Sequence, residues 1–251
     1  MTRFACFFTV FLAATFSGAI AASAEPIQLV NTRQVPVNAA GAEPALQTLV
    51  DAALGGGLDV DTSQLAQAVW AAPDWTAGIL ASLEFEYAGN NPINGFGMWS
   101  GTDTEAIDRV AVFLGGATGV GSGGATQATI TWDEPGTSMT VNGDCSKVNC
   151  GTFADIDPLA FGFYLQVGQG AIYYTADHLN GGLARALAFA ADESMWAVGF
   201  EDFKDGDFND GLISIHRQQG GNRVPPPGVP EPALMLLIGS GVGALLVRRR
   251  T

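Results

Sequence analysis

Positive charge is scarce in this 251-residue chain, which carries 11 lysines and arginines against 25 aspartates and glutamates. The formal net charge is −14 at pH 7. A surface of that sign repels phosphate backbones and anionic lipid, so the composition argues against a nucleic-acid partner. The same surface favours solubility and attracts cations.

Histidine is also scarce, since His178 and His216 are the only two. Neither lies in a nucleophile motif, and no Gly-x-Ser-x-Gly elbow is present. The glycine-rich segment 115–124 lacks the Lys-Ser or Lys-Thr of a phosphate-binding loop. Glu84 and Glu86 share one face of a predicted strand as a solvated pair, whereas glycosidase carboxylates need unlike environments. The sequence therefore predicts no enzyme, and a cryptic hydrolase is the least favoured alternative.

The first 24 residues have the pattern of a secretory signal peptide. Arg3 supplies the positive start, residues 4–16 are almost entirely apolar, and Ala22-Ser23-Ala24 is a small-x-small cleavage site. The apolar segment is too short to span a membrane comfortably, which disfavours a permanent anchor. We expect signal peptidase to cleave between Ala24 and Glu25.

The C-terminal residues form a second targeting pattern. A proline- and glycine-rich linker at 218–228 precedes an apolar stretch at 233–247, and between them stands Val229-Pro230-Glu231-Pro232. The chain closes with Arg248-Arg249-Arg250. A helix over 233–247 would be about 22 Å long, short for a stable span, and the arginines would hold its end on the cytoplasmic side.

This order of motif, glycine-bearing apolar run and arginine cluster resembles the PEP-CTERM sorting signal of Gram-negative bacteria. The resemblance covers residues 224–251. It implies that an exosortase recognises the Pro-Glu-Pro motif and cleaves near it, after transient anchoring in the inner membrane. It also implies a final place at the cell surface or outside the cell, in association with extracellular polysaccharide. The alternative is an ordinary single-pass anchor with a proline-rich stalk, and both interpretations place residues 25–223 outside the cytoplasm.

Cysteine is limited to three residues, of which Cys6 would leave with the signal peptide. Cys145 and Cys150 remain in one short loop, and an even pair in an oxidising compartment favours a disulfide. Zinc is not expected, because two cysteines with no histidine nearby do not supply the ligands that a structural site needs.

Hydrophobic periodicity predicts a mainly β domain that follows a short helical segment. Over 44–54 the apolar residues share one helix face, and Gly55-Gly56-Gly57 would end that helix. Asp61-Thr62-Ser63-Gln64 resembles a capping box, which predicts a second helix over 65–70. These two helices make up a predicted N-terminal segment, residues 25–74.

From Ile79 onward the apolar residues recur with a period of two, which indicates strands. Strands are predicted around 83–87, 110–114, 128–132, 139–141, 161–167, 171–174, 196–200 and 212–215. Short strands with glycine-rich turns favour a β-sandwich or jelly-roll-like domain over 75–217. A signal helix and a C-terminal transmembrane helix complete the predicted fold.

The segment between the last two predicted strands is unusually acidic. Five carboxylates and one carboxamide lie within ten residues: Glu201, Asp202, Asp205, Asp207, Asn209 and Asp210. Like charges so close repel unless a cation or hydrogen-bond donors offset them. Ca²⁺ takes about six to eight hard oxygens, so these residues are candidate Ca²⁺ ligands. The alternative is a solvated turn whose side chains accept backbone hydrogen bonds. The spacing is not that of an EF-hand, which needs glycine and glutamate where Asp210 and His216 stand.

A second resemblance covers most of residues 75–217. Four segments resemble motifs of the domain-of-unknown-function family numbered 4114. The opening motif is matched by Phe85-Glu86-Tyr87-Ala88-Gly89 and Asn94-Gly95-Phe96-Gly97-Met98-Trp99. The closing motif is matched by Phe200-Glu201-Asp202-Phe203 and Asp207-Phe208-Asn209-Asp210. The resemblance implies a β-rich secreted domain, often joined to this sorting tail, and no activity. The chain departs from that family at Ala184-Arg185-Ala186, where relatives tend to carry an Asp-His pair.

These features together predict an exported, exosortase-sorted structural or interaction protein of the bacterial surface or extracellular matrix, with Ca²⁺ as a candidate stabilising ion. The alternative is a carbohydrate-binding module, in which exposed Trp99, Trp132 or Tyr174 would stack on sugar rings. Alternating aromatic residues are more often part of a core.

Overall fold

The computed structural model describes residues 33–39, 41, 44–66, 69–72, 77–86, 94–101, 107–115, 125–134, 136–154, 156–202 and 205–218. The predicted signal peptide with its cleavage site, and the predicted tail with its motif at 229–232 and its arginines at 248–250, lie outside these residues. Within the described ranges, no helix has the length and hydropathy needed to cross a membrane.

Strands are the main regular structure of the described residues. In chain order these are Ile79–Glu86 (β1), Gly95–Ser100 (β2), Asp108–Phe113 (β3), Thr126–Trp132 (β4), Ser138–Gly143 (β5), Gly151–Ala154 (β6), Phe161–Gln166 (β7), Ile172–Tyr174 (β8), Ala186–Asp192 (β9), Met195–Phe200 (β10) and Gly211–Arg217 (β11). One α-helix, Leu46–Leu54 (α1), precedes them in the described part of the chain.

The strands form two antiparallel sheets in the arrangement of a β-sandwich. The larger sheet has the order β6-β5-β4-β1-β11-β10-β9, and the smaller has the order β3-β2-β7-β8. The prediction of a mainly β fold is therefore confirmed.

The main core lies between the two sheets. It collects the inward-facing side chains of both, among them Leu83, Ile130 and Ile213, none more than 2 % exposed. Aromatic rings fill one end of this layer, where Phe161 stacks on Trp132 at 5.4 Å between ring centroids and meets Phe163 edge-on at 5.9 Å. Such pairs add to the stability that area burial alone gives.

A second, smaller core lies on the outer face of the larger sheet, where α1 packs. Leu46, Val50 and Leu54 are buried there, against a cluster that includes Phe189 of β9 and Leu212 of β11. The 3.6-residue spacing of apolar residues puts these three on one helix face. Gly55 ends the helix in the left-handed conformation (φ 84°), and its N–H donates to Asp51 O. The first predicted helix is thus confirmed.

The second predicted helix, over 65–70, is wrong for the residues of that segment that the structure describes. Leu65 and Trp70 instead form isolated bridges with Ala188 and Phe161. The sequence resembled a capping box, but the Gln64 side chain donates to the carbonyls of Val35 and Val60. Tertiary pairing at the sheets therefore overrides the local helix signal.

Candidate cation site

The acidic segment forms the connection between β10 and β11. Phe200 pairs with Gly211 at the end of the ladder, and Asp210 N–H donates to Phe200 O at 3.1 Å. The connection returns the chain antiparallel to itself, so carboxylates that are several residues apart face one another. Oxygen atoms from four side chains all lie within 4.8 Å of one another: Glu201, Asp205, Asp207 and Asp210. We call these four residues the acidic cluster.

Most of the acidic cluster is buried. Glu201, Asp207 and Asp210 are 2 %, 4 % and 7 % exposed, whereas Asp205 is exposed. Backbone donors reach these buried carboxylates: Phe208 N–H donates to Glu201 Oε2 at 3.3 Å, and Asp202 N–H donates to Asp210 Oδ2 at 2.6 Å. A backbone N–H of Asn209 also donates to Asp207.

Two buried oxygen atoms at this loop accept no hydrogen bond within the described part of the chain. They are Oδ1 of Asp207 and Oδ1 of Asn209, and Asn209 is completely buried. A buried polar atom without a partner costs about 1–3 kcal/mol. A bound cation would satisfy these oxygens. In a solvated turn they would instead be exposed to water.

The protein environment makes ionisation of the acidic cluster unfavourable. Burial raises the pKa of Glu201 to about 7 and that of Asp210 to about 8. Burial, and then the charge of Asp205, also raises the pKa of Asp207. The cause in each case is that a desolvated carboxylate beside other carboxylates loses stability in its charged form. A bound cation would reverse this balance.

The loop is held in place by segments that are remote in sequence. Asn38 N–H donates to Gly206 O at 2.9 Å, and the Asn38 side-chain amide donates to Asp205 O. Asn209 Nδ2 donates to Pro44 O at 2.9 Å. The Phe208 side chain is buried in the α1 core, and its φ of 55° is the only positive value of a non-glycine residue in the described ranges. These contacts hold residues 205–210 of the loop against the rest of the fold.

An open groove of about 390 Å³ adjoins the acidic cluster. Its lining residues are Leu183, Ala184, Arg185, Glu201, Gly206 and Phe208. Leu183 is 58 % exposed, the highest value among the large hydrophobic side chains described. The Arg185 guanidinium lies 4.7 Å above the centre of the Tyr173 ring. Sequence reasoning did not find this groove, because 183–185 and 201–208 each contribute only part of it.

The structure separates the six predicted ligands into two sets. Four belong to the acidic cluster, whereas Asp202 and Asn209 lie beside it, with Asp202 4 % exposed. Asn209 keeps one buried oxygen without a partner, so its carbonyl remains a candidate ligand.

The alternative in which exposed aromatic residues stack on sugars does not hold for either tryptophan. Trp99 and Trp132 are 1 % and 3 % exposed. Their indole N–H groups donate to buried carbonyls, those of Phe163 and Ile156. Tyr174 is half-buried and contacts the Trp99 ring edge-on. These rings belong to the packing, as alternating aromatics usually do.

The remaining polar residues that the sequence singled out lie apart from the acidic cluster. Cys145 and Cys150 are joined by a disulfide, with 5.3 Å between their Cα atoms. Glu84 accepts a hydrogen bond from Ser214 Oγ at 2.5 Å, on β1. His178 lies in a 3-10 turn whose Asp177 forms an ion pair with Arg33 at 2.8 Å.

Comparison with family models, with curated proteins and with solved structures found no significant match to this chain. The resemblances of the tail and of the β-rich domain therefore stay predictions.

Proposed function

We propose that this chain is an exported, non-catalytic β-sandwich module of the bacterial surface or extracellular matrix, stabilised by a Ca²⁺ ion at the acidic cluster. The observation that carries the proposal is the cluster itself: carboxylate oxygens within 4.8 Å of one another, three of the four residues buried, and a neighbouring buried carboxamide oxygen without a partner. Such an arrangement is costly without a cation.

The donor set favours Ca²⁺ over other common metals. All the candidate ligand atoms are oxygens, which suit hard cations rather than zinc or copper. Mg²⁺ usually keeps several waters and is held by only one or two carboxylates, whereas Ca²⁺ accepts many carboxylates in irregular geometry. The weak affinity of extracellular modules, about 10⁻⁴–10⁻³ M, is what we expect here.

Two sequence features support the exported part of the proposal. The N-terminal pattern is that of a signal peptide, and the C-terminal pattern resembles an exosortase sorting signal. Intact mass of the protein recovered from the cell envelope or medium tests this part directly. A chain that begins at Glu25 and lacks residues 233–251 agrees with it, whereas a full-length chain found inside the cell contradicts it.

The calcium site is tested by Asp207→Asn, with the exposed Glu193→Gln as the matched control. In the full chain, millimolar Ca²⁺ should raise the melting temperature, and Tb³⁺ should bind with sensitised luminescence that Ca²⁺ displaces. Asp207→Asn should weaken the Ca²⁺ affinity by about tenfold or more, because it removes a charged ligand. Glu193→Gln should bind as the unaltered chain does. An unaltered chain whose melting temperature ignores Ca²⁺ would contradict the proposal.

A glycoside hydrolase is the second candidate function. It is favoured by one observation, that Glu201 borders the groove and has a pKa raised to about 7, as a general acid requires. Against it, the carboxyl groups of glycosidase pairs stand about 5 Å or more apart to hold the substrate between them. The acidic cluster is tighter than that. Release of reducing sugar that is lost in Glu201→Gln would favour the hydrolase.

A further inference from the structure

The groove beside the acidic cluster gives a ligand direct access to the proposed cation. Glu201 belongs both to the acidic cluster and to the groove lining, and Gly206 and Phe208 of the same loop form one side of the groove. A cation held by the acidic cluster would therefore have one side turned toward the groove. This inference rests on the proposed Ca²⁺ site and adds a ligand class to it.

The coordination number leaves positions for that ligand. With one oxygen from each of its four residues, the acidic cluster supplies four ligand atoms, and the Asn209 carbonyl is a candidate fifth. Ca²⁺ takes about six to eight oxygens. Water or a ligand on the groove side can then supply the remaining oxygens. An oxygen pair on one molecule would occupy two neighbouring positions at once.

Charge decides which kind of oxygen is favoured. The four carboxylates of the cluster exceed the charge of one divalent cation by two, and the whole chain carries a formal charge of −14. An anionic ligand, such as a carboxylated or phosphorylated polymer, would meet repulsion from both. Neutral hydroxyl oxygens would not, and they are hard ligands of the kind that Ca²⁺ prefers.

The groove walls complement a neutral polyhydroxylated molecule. The guanidinium of Arg185, positioned over the Tyr173 ring, has several N–H donors in a fixed plane that can donate to hydroxyl oxygens. Leu183, which also lines the groove, offers apolar surface to the C–H face of a ring. The volume of about 390 Å³ falls in the range of small-ligand sites.

We propose that this groove binds a neutral glycan, through two adjacent sugar hydroxyl groups that coordinate the Ca²⁺ ion held by the acidic cluster. Arg185 hydrogen-bonds a further hydroxyl, and Leu183 packs on the apolar face of the ring. Binding is therefore dependent on Ca²⁺ and local to one or two sugar units.

Affinity electrophoresis of the full chain through gels that contain a soluble polysaccharide tests this proposal. The neutral probes are mannan, galactan and dextran, and polygalacturonate is the acidic probe. In millimolar Ca²⁺, at least one neutral polysaccharide should retard the protein, and EGTA should abolish the retardation. Stronger retardation by polygalacturonate than by every neutral probe would overturn the proposal.

Leu183→Ser and Leu159→Ser form a matched pair of variants, because both leucines are more than half exposed and only Leu183 lines the groove. Leu183→Ser and Arg185→Ala should each weaken glycan binding by about tenfold, while Tb³⁺ binding stays unchanged. Leu159→Ser should change neither. Equal retardation of the Leu183 and Leu159 variants would overturn the assignment of the groove.

The same measurements separate this inference from the proposed function. If the chain binds Tb³⁺ and is stabilised by Ca²⁺ but no neutral polysaccharide retards it, the glycan inference fails and the calcium site stands. If Tb³⁺ does not bind, both fail.

Discussion

Glu201 and Asp210 hold their protons more tightly in the folded chain than in water. Burial is the main cause, and it places their pKa values at about 7 and about 8. A group whose folded pKa is raised contributes stability below its unfolded pKa and loses that contribution as the pH rises through its folded pKa. Without a cation, the fold should therefore be most stable in mild acid.

The stability of the chain should therefore depend on pH. Between about pH 4 and pH 8 in EGTA, the free energy of unfolding should fall by on the order of 2 kcal/mol, since solvent still screens part of the cluster. In saturating Ca²⁺ the fall should be smaller, because the cation favours the ionised carboxylates. Urea midpoints at several pH values measure both curves.

Asp210→Asn should flatten the curve measured in EGTA, since the amide does not titrate. Asp192→Asn is the control: hydrogen bonds from Ser194 lower the pKa of Asp192, so its carboxyl is already ionised across this range. A stability that rises with pH in EGTA would contradict the account of the acidic cluster.

β10 packs closely against the β10–β11 loop, which carries the acidic cluster, because residue 199 is glycine. We call this loop the acidic loop. A Cβ at Gly199 would lie 2.6 Å from Phe208 O and 2.8 Å from Leu46 Cδ1. The leucine side chain could turn aside, but the Phe208 carbonyl is part of the loop backbone. The position of the loop thus depends on the absence of a side chain on the neighbouring strand.

Gly199→Ala should therefore displace the loop. We expect a loss of about 1–3 kcal/mol in stability, as for other overpacked sites, together with a weaker Ca²⁺ affinity. Gly170→Ala is the matched control, because its added Cβ meets only Val167 O at 3.6 Å. Chemical denaturation and Tb³⁺ titration of both variants are the measurements. Normal Ca²⁺ affinity in Gly199→Ala would show that the loop does not rely on this contact.

Periodicity predicted strands whose side chains alternate, such as β4, but it missed β2, β6 and β9. In β2 the alternation is hidden by glycines, and Gly97 leaves room for the Tyr164 ring on the outer face. In β9 alanines, which have low strand propensity, predominate, and the strand is buried on both faces over Ala186–Phe189. Burial on both faces removes the alternation that a sequence pattern needs.

Composition located the acidic loop, because carboxylates close in sequence are also close in space across a hairpin connection. It did not reveal which oxygens are buried, since that depends on contacts with Asn38 and Pro44. It also did not reveal the groove, to which Leu183 and Arg185 come from the chain before β9. Sites formed by remote segments leave no local pattern.

The loop closed by the Cys145–Cys150 disulfide joins the two sheets. The loop follows β5 of the larger sheet, and its backbone forms hydrogen bonds with the chain at β3 of the smaller sheet. Leu114 N–H donates to Lys147 O at 2.8 Å, and Asn149 N–H donates to Val112 O at 2.9 Å. Val148 is also bridged to Phe113. The cross-link between Cys145 and Cys150 limits the conformations of the segment that holds β3.

The double substitution Cys145→Ser/Cys150→Ser should cost about 2 kcal/mol of stability on the chain-entropy model. Relative to the unaltered chain, amide hydrogen exchange should become faster at Leu114 and Asn149 by a larger factor than in β11, which lies three strands from β5 in the larger sheet. Thr137→Ser, at the exposed β4–β5 turn, is the control. Uniform acceleration throughout both sheets would show that the loop does not act locally on β3.

The pairing at the β9 edge affects how readily copies of this chain can join into fibrils. β9 ends the larger sheet, but Leu65 already pairs with Ala188, and the opposite edge strand, β6, has only four residues. Unpaired strand edges are where β proteins join one another into fibrils. The larger sheet, with a bridge already formed at β9 and only four residues in β6, therefore offers little template for such growth.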